Sequence, residues 1–273
     1  MTGVSPRDLL ACAAEAVRRA GAHAVANQSR RTEAIAVAEH DVKLALDQEC
    51  QAIIESVIHS AYPSHSILGE EGRREGGDAN YRWIVDPLDG TVNFSHALPY
   101  WCHSVAVQRG GETLAAAVFA PVFGEVYAAS LETPAVCNEE PIRVSEIRTL
   151  GESVLLTGLE RNFDQHPQSV EVARAVSLAA QKMRLMGAAA LDLCQLACGR
   201  VEGFYESGIH LWDVAAGEFI IRRAGGRCQN LAQLSEVKCR FLATNGHIHD
   251  ELIALLRPFE IWLSGATTWR RQH

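Results

Sequence analysis

The chain has 273 residues, of which 48% are hydrophobic and 21% charged, and its formal net charge is −8. This composition is ordinary for a globular protein and excludes the disordered and fibrous classes. No apolar run of about 18 residues predicts a membrane span, and no block of Lys and Arg predicts a nucleic-acid surface. A small anionic ligand remains compatible with the acidic charge if a local cation offsets it.

The beginning of the chain predicts two amphipathic helices. Ser5 is a typical N-cap, Pro6 suits the first helical position, and apolar residues then recur at helical spacing. A second helix is predicted over residues 47–60, where Pro63 follows its end. These helices precede a segment with a different hydrophobic period.

The middle of the chain predicts β-structure, and the end predicts alternating strands and helices. The first set of strands is predicted at residues 66–69, 81–85, 103–109, 113–120 and 125–130, the last three antiparallel. Later strands are predicted at residues 153–157, 184–186, 201–205 and 241–244. Later helices are predicted at residues 167–182, 189–198, 212–223 and 248–256. We therefore expect an N-terminal α+β part, residues 1–150, and a C-terminal α/β part, residues 151–273.

The eight cysteines are scattered and form no Cys-x-x-Cys pair. Most lie in apolar stretches, which predicts reduced and mostly buried thiols in a cytoplasmic protein. The N-terminal segment is polar and then amphipathic, which is not typical of a secretory signal.

Three acidic clusters each lie where an apolar segment meets a turn: Glu70-Glu71, Asp86-Pro87-Leu88-Asp89 and Trp212-Asp213. Taken singly, each has a simple explanation, namely a solvated loop, a plain turn and a helix N-cap. Their joint occurrence favours a shared site, because sites in α/β proteins form at the ends of strands.

The middle cluster has the residues of a cation site. Pro87 fixes its own φ angle, so we expect the chain to turn directly after Asp86. Such a turn would direct the carboxylates of Asp86 and Asp89 and the Leu88 carbonyl at one point. This set of oxygen ligands is the kind that Mg²⁺ prefers.

The two residues that follow predict a phosphate site beside the cation. Gly90 permits a close backbone approach, and Gly90 with Thr91 is expected to open a helical turn. The free N–H groups of such a turn suit a phosphate group, and the Thr91 hydroxyl can orient a water molecule.

Two long segments resemble the inositol monophosphatase family of Mg²⁺-dependent, lithium-sensitive phosphatases. They read WIVDPLDGTVNFSH over residues 83–96 and WDVAAGEFIIRRAGG over residues 212–226, within a resemblance that covers about residues 5–258. The resemblance implies a layered α-β-α-β-α sandwich, α/β in class, and a homodimer. It also implies hydrolysis of a small phosphomonoester, with myo-inositol 1-phosphate as the first candidate and inositol and phosphate as products.

The same resemblance implies a set of metal ligands. Glu70, Asp86 and the carbonyl of Leu88 match the ligands of a first metal ion. Asp86, Asp89 and Asp213 match those of a second, with Asp86 bridging the two. Glu70 matches a residue that holds a third, weaker ion through water, so two to three Mg²⁺ ions are expected per site.

Catalytic and substrate residues are implied in the same way. Asp47 and Thr91 match the pair that acts on the nucleophilic water, with Glu70 beside them, and Gly90 and Thr91 match the amides that bind phosphate. The residues that the resemblance assigns to the substrate are Asp89, Gly187, Ala189, Glu206 and Asp213.

Other functions on similar scaffolds remain open. They are fructose 1,6-bisphosphatase, histidinol-phosphatase and adenosine 3′,5′-bisphosphatase activities and, in a different class, an inactive metal-binding regulatory homologue. The complete acid set argues against the inactive homologue. A bisphosphate would need a second anion site, for which Lys43, Arg161 and Arg184 are the candidates.

Lys43 stands where the family often has a hydroxyl or small apolar residue. It is either a solvated residue at a strand edge or a contact for a second anionic group. His247 and His249 are expected to cap the last helix, and Phe94 and Trp101 are expected in the core.

Overall fold

The computed structural model describes residues 4–38, 41–74, 76, 78–159 and 168–259. Its helices are α1 (Pro6–Ala26), α2 (Ala45–Ala61), α3 (Thr91–Ser95), α4 (Gln168–Ala179), α5 (Ala189–Ala197), α6 (Leu211–Arg223) and α7 (His249–Leu256). Its strands up to residue 141 are β1 (Ala34–Ala38), β2 (Asp41–Leu44), β3 (His65–Gly69), β4 (Gly72–Arg74), β5 (Asp78–Asp89), β6 (Cys102–Arg109), β7 (Glu112–Ala120), β8 (Glu125–Ser130), β9 (Val136–Cys137) and β10 (Glu140–Pro141). The later strands are β11 (Val154–Thr157), β12 (Lys182–Arg184), β13 (Gly203–His210), β14 (Arg227–Gln233) and β15 (Lys238–Thr244).

The predicted elements agree with these bounds to within a few residues. Ser5 caps α1 as expected, since its hydroxyl accepts a hydrogen bond from the Arg7 N–H at 3.1 Å. The strand expected at residues 184–186 lies at Lys182–Arg184. Strands β1, β2, β4, β9 and β10 were not predicted because they are too short to show a period, and β14 was missed because it is polar.

Two sheets form the frame of the molecule. The larger has eight strands in the order β10-β9-β8-β7-β6-β5-β3-β4, and the smaller has five in the order β12-β11-β13-β15-β14. The predicted antiparallel run β6-β7-β8 is confirmed, whereas β3 pairs with β5 in parallel. In the smaller sheet β11 is parallel to both of its neighbours.

Three hydrophobic clusters lie between the layers of the molecule, and the order of these layers confirms the α-β-α-β-α sandwich. Helices α1 and α2 cover one face of the large sheet, α5 and α6 lie between the sheets, and α4 and α7 cover the outer face of the small sheet. Side chains of β7 alternate between layers: Ala115 and Ala117 face α1 and α2, while Ala116 and Val118 face α5 and α6. This is the two-residue period of a sheet buried on both faces.

Two further predictions concern single side chains. Phe94 and Trp101 are buried in the core, where their rings meet edge to face at 4.9 Å. His249, however, does not cap α7. It is buried at the first helical position, and the side chain of Asn245 instead accepts the N–H groups of His247 and Ile248. The imidazole of His249 is instead hydrogen-bonded to the Thr244 hydroxyl at 2.9 Å and to the Gln229 side-chain oxygen at 3.2 Å.

All eight cysteines are free thiols, and five of them are buried. Within the described part of the chain, no helix combines the length and the hydropathy that crossing a membrane requires. The strands of the large sheet come from residues 65–141 and those of the small sheet from residues 154–244. A division into two parts near residue 150 stays a prediction.

Candidate active site

The end of β5 carries two acids on a distorted strand. Asp86 is 1% exposed, and its carboxylate accepts a hydrogen bond from the Leu88 N–H at 3.1 Å. The expected turn at Pro87 is wrong: β5 continues to Asp89, and its pairing with β6 shifts between Asp86 and Asp89. A bulge at this place removes Pro87, which has no N–H to donate, from the ladder of hydrogen bonds.

The chain leaves β5 through Gly90, whose φ angle is +86°. A side chain at this position would meet the Tyr100 carbonyl oxygen at 3.0 Å, so the backbone here requires glycine. Thr91 then begins the short helix α3, and its hydroxyl donates to the Leu88 carbonyl oxygen at 2.9 Å. Gly90 therefore fixes the position of the Thr91 hydroxyl next to the two acids.

Asp89 joins the two halves of the site. Its carboxylate accepts hydrogen bonds from the N–H groups of Ala189, at 3.2 Å, and Ala190, at 2.8 Å, at the start of α5. The thiol of Cys102 also donates to it. Burial and then the negative charge of Asp213 raise the pKa of Asp89 to about 7, against these hydrogen bonds, which lower it.

Asp47 and Asp213 occupy equivalent positions on two different helices. Each is the third residue of its helix, and each accepts the N–H of the preceding N-cap residue, Leu44 at 2.6 Å and His210 at 2.9 Å. The simple explanation of Asp213 as an N-cap is therefore wrong: His210 is the N-cap, and Asp213 lies three residues after it. In each helix, this hydrogen bond from the N-cap N–H fixes the orientation of the carboxylate.

Glu70 directly follows β3, and its carboxylate interacts electrostatically with Asp47, Asp89 and Asp213. Burial raises the pKa of Glu70 to about 8, with further contributions from the charges of Asp213, Asp47, Glu71 and Asp89. Burial and then the charges of Glu70, Asp89 and Asp213 raise the pKa of Asp86 well above its usual range. We call Asp47, Glu70, Asp86, Asp89 and Asp213 the acid cluster.

The acid cluster has the donor chemistry of a divalent-cation site but is not closed around one point. Among the described residues, no three His, Cys, Asp or Glu side chains already form a group able to hold a metal ion. Carboxylates that raise one another's pKa repel each other, and a cation between them relieves this repulsion. The oxygen-only set, with the Leu88 carbonyl, fits Mg²⁺ in kind.

A cleft of about 550 Å³ opens beside the acid cluster. It is lined by all five residues that the resemblance assigns to the substrate: Asp89, Gly187, Ala189, Glu206 and Asp213. The remaining lining includes three polar residues with no predicted role: Asn93, Thr157 and Asp192. The roles of the five assigned residues in substrate binding remain predictions. Their position around one cleft shows that an open volume lies next to the acids.

Two residues that sequence reasoning missed hold the wall of this cleft. The Asn93 side chain donates to the carbonyl oxygens of Tyr100 and Met186, both at 2.8 Å. The Tyr100 hydroxyl donates to Asp192 at 2.6 Å. Asn93 lies inside the long segment of residues 83–96, so the segment carried a signal, whereas no local pattern marks Tyr100.

The candidates for a second anion site do not gather at the cleft. The Lys43 ammonium lies 2.9 Å from Glu71, and Lys43 is not among the residues that line the cleft. Arg184 is exposed and donates to the neighbouring carbonyl of Met183. Arg161 lies outside the described residues.

Comparison with known proteins agrees with this arrangement. The model of the inositol monophosphatase family matches residues 5–259. The chain belongs to the inositol monophosphatase family. A relative from Synechocystis named inositol-1-monophosphatase is 35% identical over 243 residues, which cover 85% of this chain and 82% of the relative.

Other family members carry a different name. The protein named Nus factor SuhB from Vibrio cholerae is 40% identical over 222 residues, which cover 80% of this chain and 83% of the relative. Among solved structures, inositol monophosphatase from Anabaena is 33% identical with a TM-score of 0.81, and the match covers 92% of this chain and 96% of that one. The family fold is thus shared over nearly the whole described chain.

Proposed function

We propose that this protein hydrolyses a small phosphomonoester with water as nucleophile and Mg²⁺ as the essential cation. The observation that carries this proposal is the acid cluster at the edge of an open cleft, in which burial and neighbouring negative charges raise the pKa values of Glu70, Asp86 and Asp89. Family membership supports a phosphoric monoester hydrolase. The name of the Synechocystis relative makes myo-inositol 1-phosphate the first candidate substrate.

The metal ligands are proposed from the resemblance and the donor chemistry together. Glu70, Asp86 and the Leu88 carbonyl would hold one ion, and Asp86, Asp89 and Asp213 a second, with Glu70 reaching a third through water. When bound, Mg²⁺ supplies the positive charge that polarises water and offsets charge on the phosphoryl and leaving oxygens. It also makes binding of an anionic ester possible in a chain of charge −8.

The chain's own groups then act on the water and the phosphate. The Thr91 hydroxyl, held by the Leu88 carbonyl, is positioned to hydrogen-bond the attacking water, and Asp47 accepts its proton. The amides of Gly90 and Thr91 bind the phosphate oxygens. No covalent nucleophile is required, because positioned water attacks phosphorus in line with the leaving oxygen.

The cleft residues determine which ester is bound. Glu206 and Asp213 line the cleft and accept hydrogen bonds from hydroxyl groups of the leaving alcohol. Gly187 and Ala189 also line it, and their small size leaves room for a polyol ring. Among the described residues, neither Lys43, which is paired with Glu71, nor Arg184 lines the cleft, so a monophosphate is the better candidate than a bisphosphate.

A second candidate is a regulatory role, because the Vibrio cholerae relative is named Nus factor SuhB. The complete acid cluster favours catalysis. We also place the enzyme in the cytoplasm, which its eight free thiols support, and we propose lithium sensitivity and a homodimer from the family resemblance.

A substrate panel tests this function. Phosphate release would be measured, with Mg²⁺ and with chelator, on myo-inositol 1-phosphate, fructose 1,6-bisphosphate, histidinol phosphate, adenosine 3′,5′-bisphosphate and 4-nitrophenyl phosphate. We expect Mg²⁺-dependent release that is fastest with the inositol ester. Faster release from a bisphosphate would change the substrate assignment. No release from any ester, in a protein shown to bind Mg²⁺, would favour the regulatory role.

A further inference from the structure

Lys43 occupies a fixed position beside the acid cluster. It lies at the end of β2, opposite Ala36 of β1 and directly before Leu44, the N-cap of α2. Its side chain is 44% exposed, whereas that of Glu71, its partner at 2.9 Å, is only 4% exposed. An ion pair with one buried member is held more firmly than a pair of solvated side chains.

The position of Glu71 is itself built into the fold. The Glu71 N–H donates to the side-chain oxygen of Gln51 at 2.9 Å, and the Gln51 amide donates to Glu55 at 2.9 Å. Gly69 allows this approach, because a side chain there would stand 2.4 Å from the Gln51 oxygen. The partner of Lys43 is therefore anchored to α2 and cannot follow a mobile lysine.

The charges around Lys43 belong to the proposed metal site. Leu44, the residue after Lys43, donates its N–H to Asp47 at 2.6 Å, and Glu71, the partner of Lys43, directly follows Glu70. The hydrogen bond that the ammonium donates to Glu71 raises the pKa of Lys43, and the charges of Glu70 and Asp47 act in the same direction. Glu70 and Asp47 also repel each other within the acid cluster. The ammonium group thus adds a positive charge beside Glu70 and Asp47, two members of the acid cluster.

Lys43 lies outside the cleft and is paired with Glu71. The cleft is lined by residues of β5, α5, β13 and α6 with their adjoining loops, and neither Lys43 nor Glu71 is among them. A contact with a second anionic group of the substrate would require Lys43 to leave a partner that is almost fully buried. Its position therefore fits an effect on cation binding better than an effect on substrate choice.

We propose that Lys43 is a built-in counter-ion of the acid cluster, held there by Glu71, that limits how tightly the site binds Mg²⁺. Its fixed positive charge neutralises part of the negative charge of the acid cluster. Without Lys43, that part of the negative charge would be available to bind a further, weakly held cation. This inference rests on the proposed Mg²⁺ site and concerns cation binding rather than the identity of the substrate.

Titration calorimetry with Mg²⁺ alone tests the proposal on the full chain. In Lys43→Met, which keeps the length of the side chain but removes its charge, half-saturation should need about fivefold less Mg²⁺. Lys43→Arg should bind as the wild type does. Lys182→Met, which removes an exposed lysine on β12 in the other sheet, is the matched control and should also leave binding unchanged.

Melting temperatures separate this effect from simple loss of an ion pair. In chelator, Lys43→Met should melt below the wild type, and saturating Mg²⁺ should restore most of the difference. If the ion pair matters only for folding, the deficit will be the same with and without Mg²⁺.

If Lys43→Met does not fold, Lys43→Gln, which also removes the charge, replaces it with the same expected shift of about fivefold. The double variant Lys43→Met/Glu71→Gln removes both charges. Its half-saturation should return to within about twofold of the wild type, because one positive and one negative charge are lost together. Unchanged Mg²⁺ affinity in Lys43→Met, or a shift equal to that of Lys182→Met, would overturn the counter-ion role alone. A wild type that binds no Mg²⁺ would instead overturn the proposed function.

Discussion

The end of β5 and the start of α6 both supply acids to the site, but in different environments. At β5, Asp86 is 1% and Asp89 9% exposed, and a strand bulge, a glycine of positive φ and two amides of α5 surround them. At α6, the side chain of Asp213 is 21% exposed and takes one hydrogen bond from His210. The acids of β5 are thus almost fully buried, whereas Asp213 is partly exposed, and Asp89 and Asp213 both line the cleft.

This difference indicates a division between chemistry and selection. Buried carboxylates with raised pKa store repulsion that a cation relieves, so the β5 region should determine metal binding and turnover. Glu206 lines the open cleft, and we propose that it accepts a hydrogen bond from the leaving alcohol. Substitutions in the two regions should therefore fail in different ways.

The largest effect should come from Asp86→Asn at the end of β5. Loss of this buried carboxylate should lower turnover at least about 10³-fold, which corresponds to about 4 kcal/mol of transition-state stabilisation. In chelator the variant should melt above the wild type, because a buried repelling charge is gone. Phosphate release and calorimetric melts check both effects.

Asp250→Asn, at an exposed acid on α7, is the matched control for Asp86→Asn and should change neither quantity. Near-normal turnover in Asp86→Asn would contradict the metal assignment at β5.

Mg²⁺ should stabilise the protein in a pH-dependent manner. At 100 times its dissociation constant, an ion that binds only the folded state adds about 2.7 kcal/mol to the free energy of unfolding. Folded-state pKa values of about 8 for Glu70 and about 7 for Asp89 lie above unfolded values near 4. In the metal-free protein, the stability that these two carboxyl groups contribute is therefore fully present below about pH 4 and is lost as pH rises through their folded-state pKa values.

The increment from Mg²⁺ should thus be large near pH 8 and shrink toward pH 5. Calorimetric melts with Mg²⁺ and with chelator, at several pH values, measure it in the wild type and in Asp213→Asn. The variant should show a smaller increment. A melting temperature that ignores saturating Mg²⁺ would mean that the acids do not share a site.

Gly90→Ala tests whether the backbone of the β5 region is as constrained as the contacts indicate. A side chain at φ +86° costs about 1 kcal/mol, and contact with the Tyr100 carbonyl should bring the total to roughly 2–3 kcal/mol. Gly225→Ala is a matched control, with φ +94° and nothing within 4 Å of the added carbon. Equal losses of unfolding free energy in urea would show that only the φ angle matters.

The smallest effect should come from the cleft. Glu206→Gln should lower kcat/KM for myo-inositol 1-phosphate about tenfold, because a hydrogen bond from a hydroxyl to a charged acceptor is weakened. For 4-nitrophenyl phosphate, which has no such hydroxyl, the change should stay within about twofold. A parallel loss on both esters would assign Glu206 to the chemistry and remove the contrast between the regions.

Local patterns were sufficient for much of the fold. Helix α1, with its cap at Ser5, and the run β6-β7-β8 follow from hydrophobic periods and turn residues. Prediction failed where several local outcomes were compatible with the same residues. Pro87 allowed either a turn or a bulge, and pairing with β6 selected the bulge.

The candidate site shows the same limit. Asp86 to Thr91 are contiguous, so one motif was enough to predict them as neighbours. The contacts of Asp89 with Ala189 and Ala190 join residues about 100 positions apart, and no period or spacing encodes them. Nor did the sequence indicate that Lys43 would pair with Glu71, since either a solvated or a substrate-facing lysine suited the same strand edge.

By itself, therefore, the sequence determined the class of fold, the family and the identity of the acids, because these depend on residue types and on their order along the chain. The tertiary structure alone decided the burial of Asp86 and Asp89, the raised pKa values of Glu70, Asp86 and Asp89, and the partner of Lys43. The physical reason is that electrostatic energies depend on distance and on exclusion of water. Both quantities arise only when residues distant along the chain pack together.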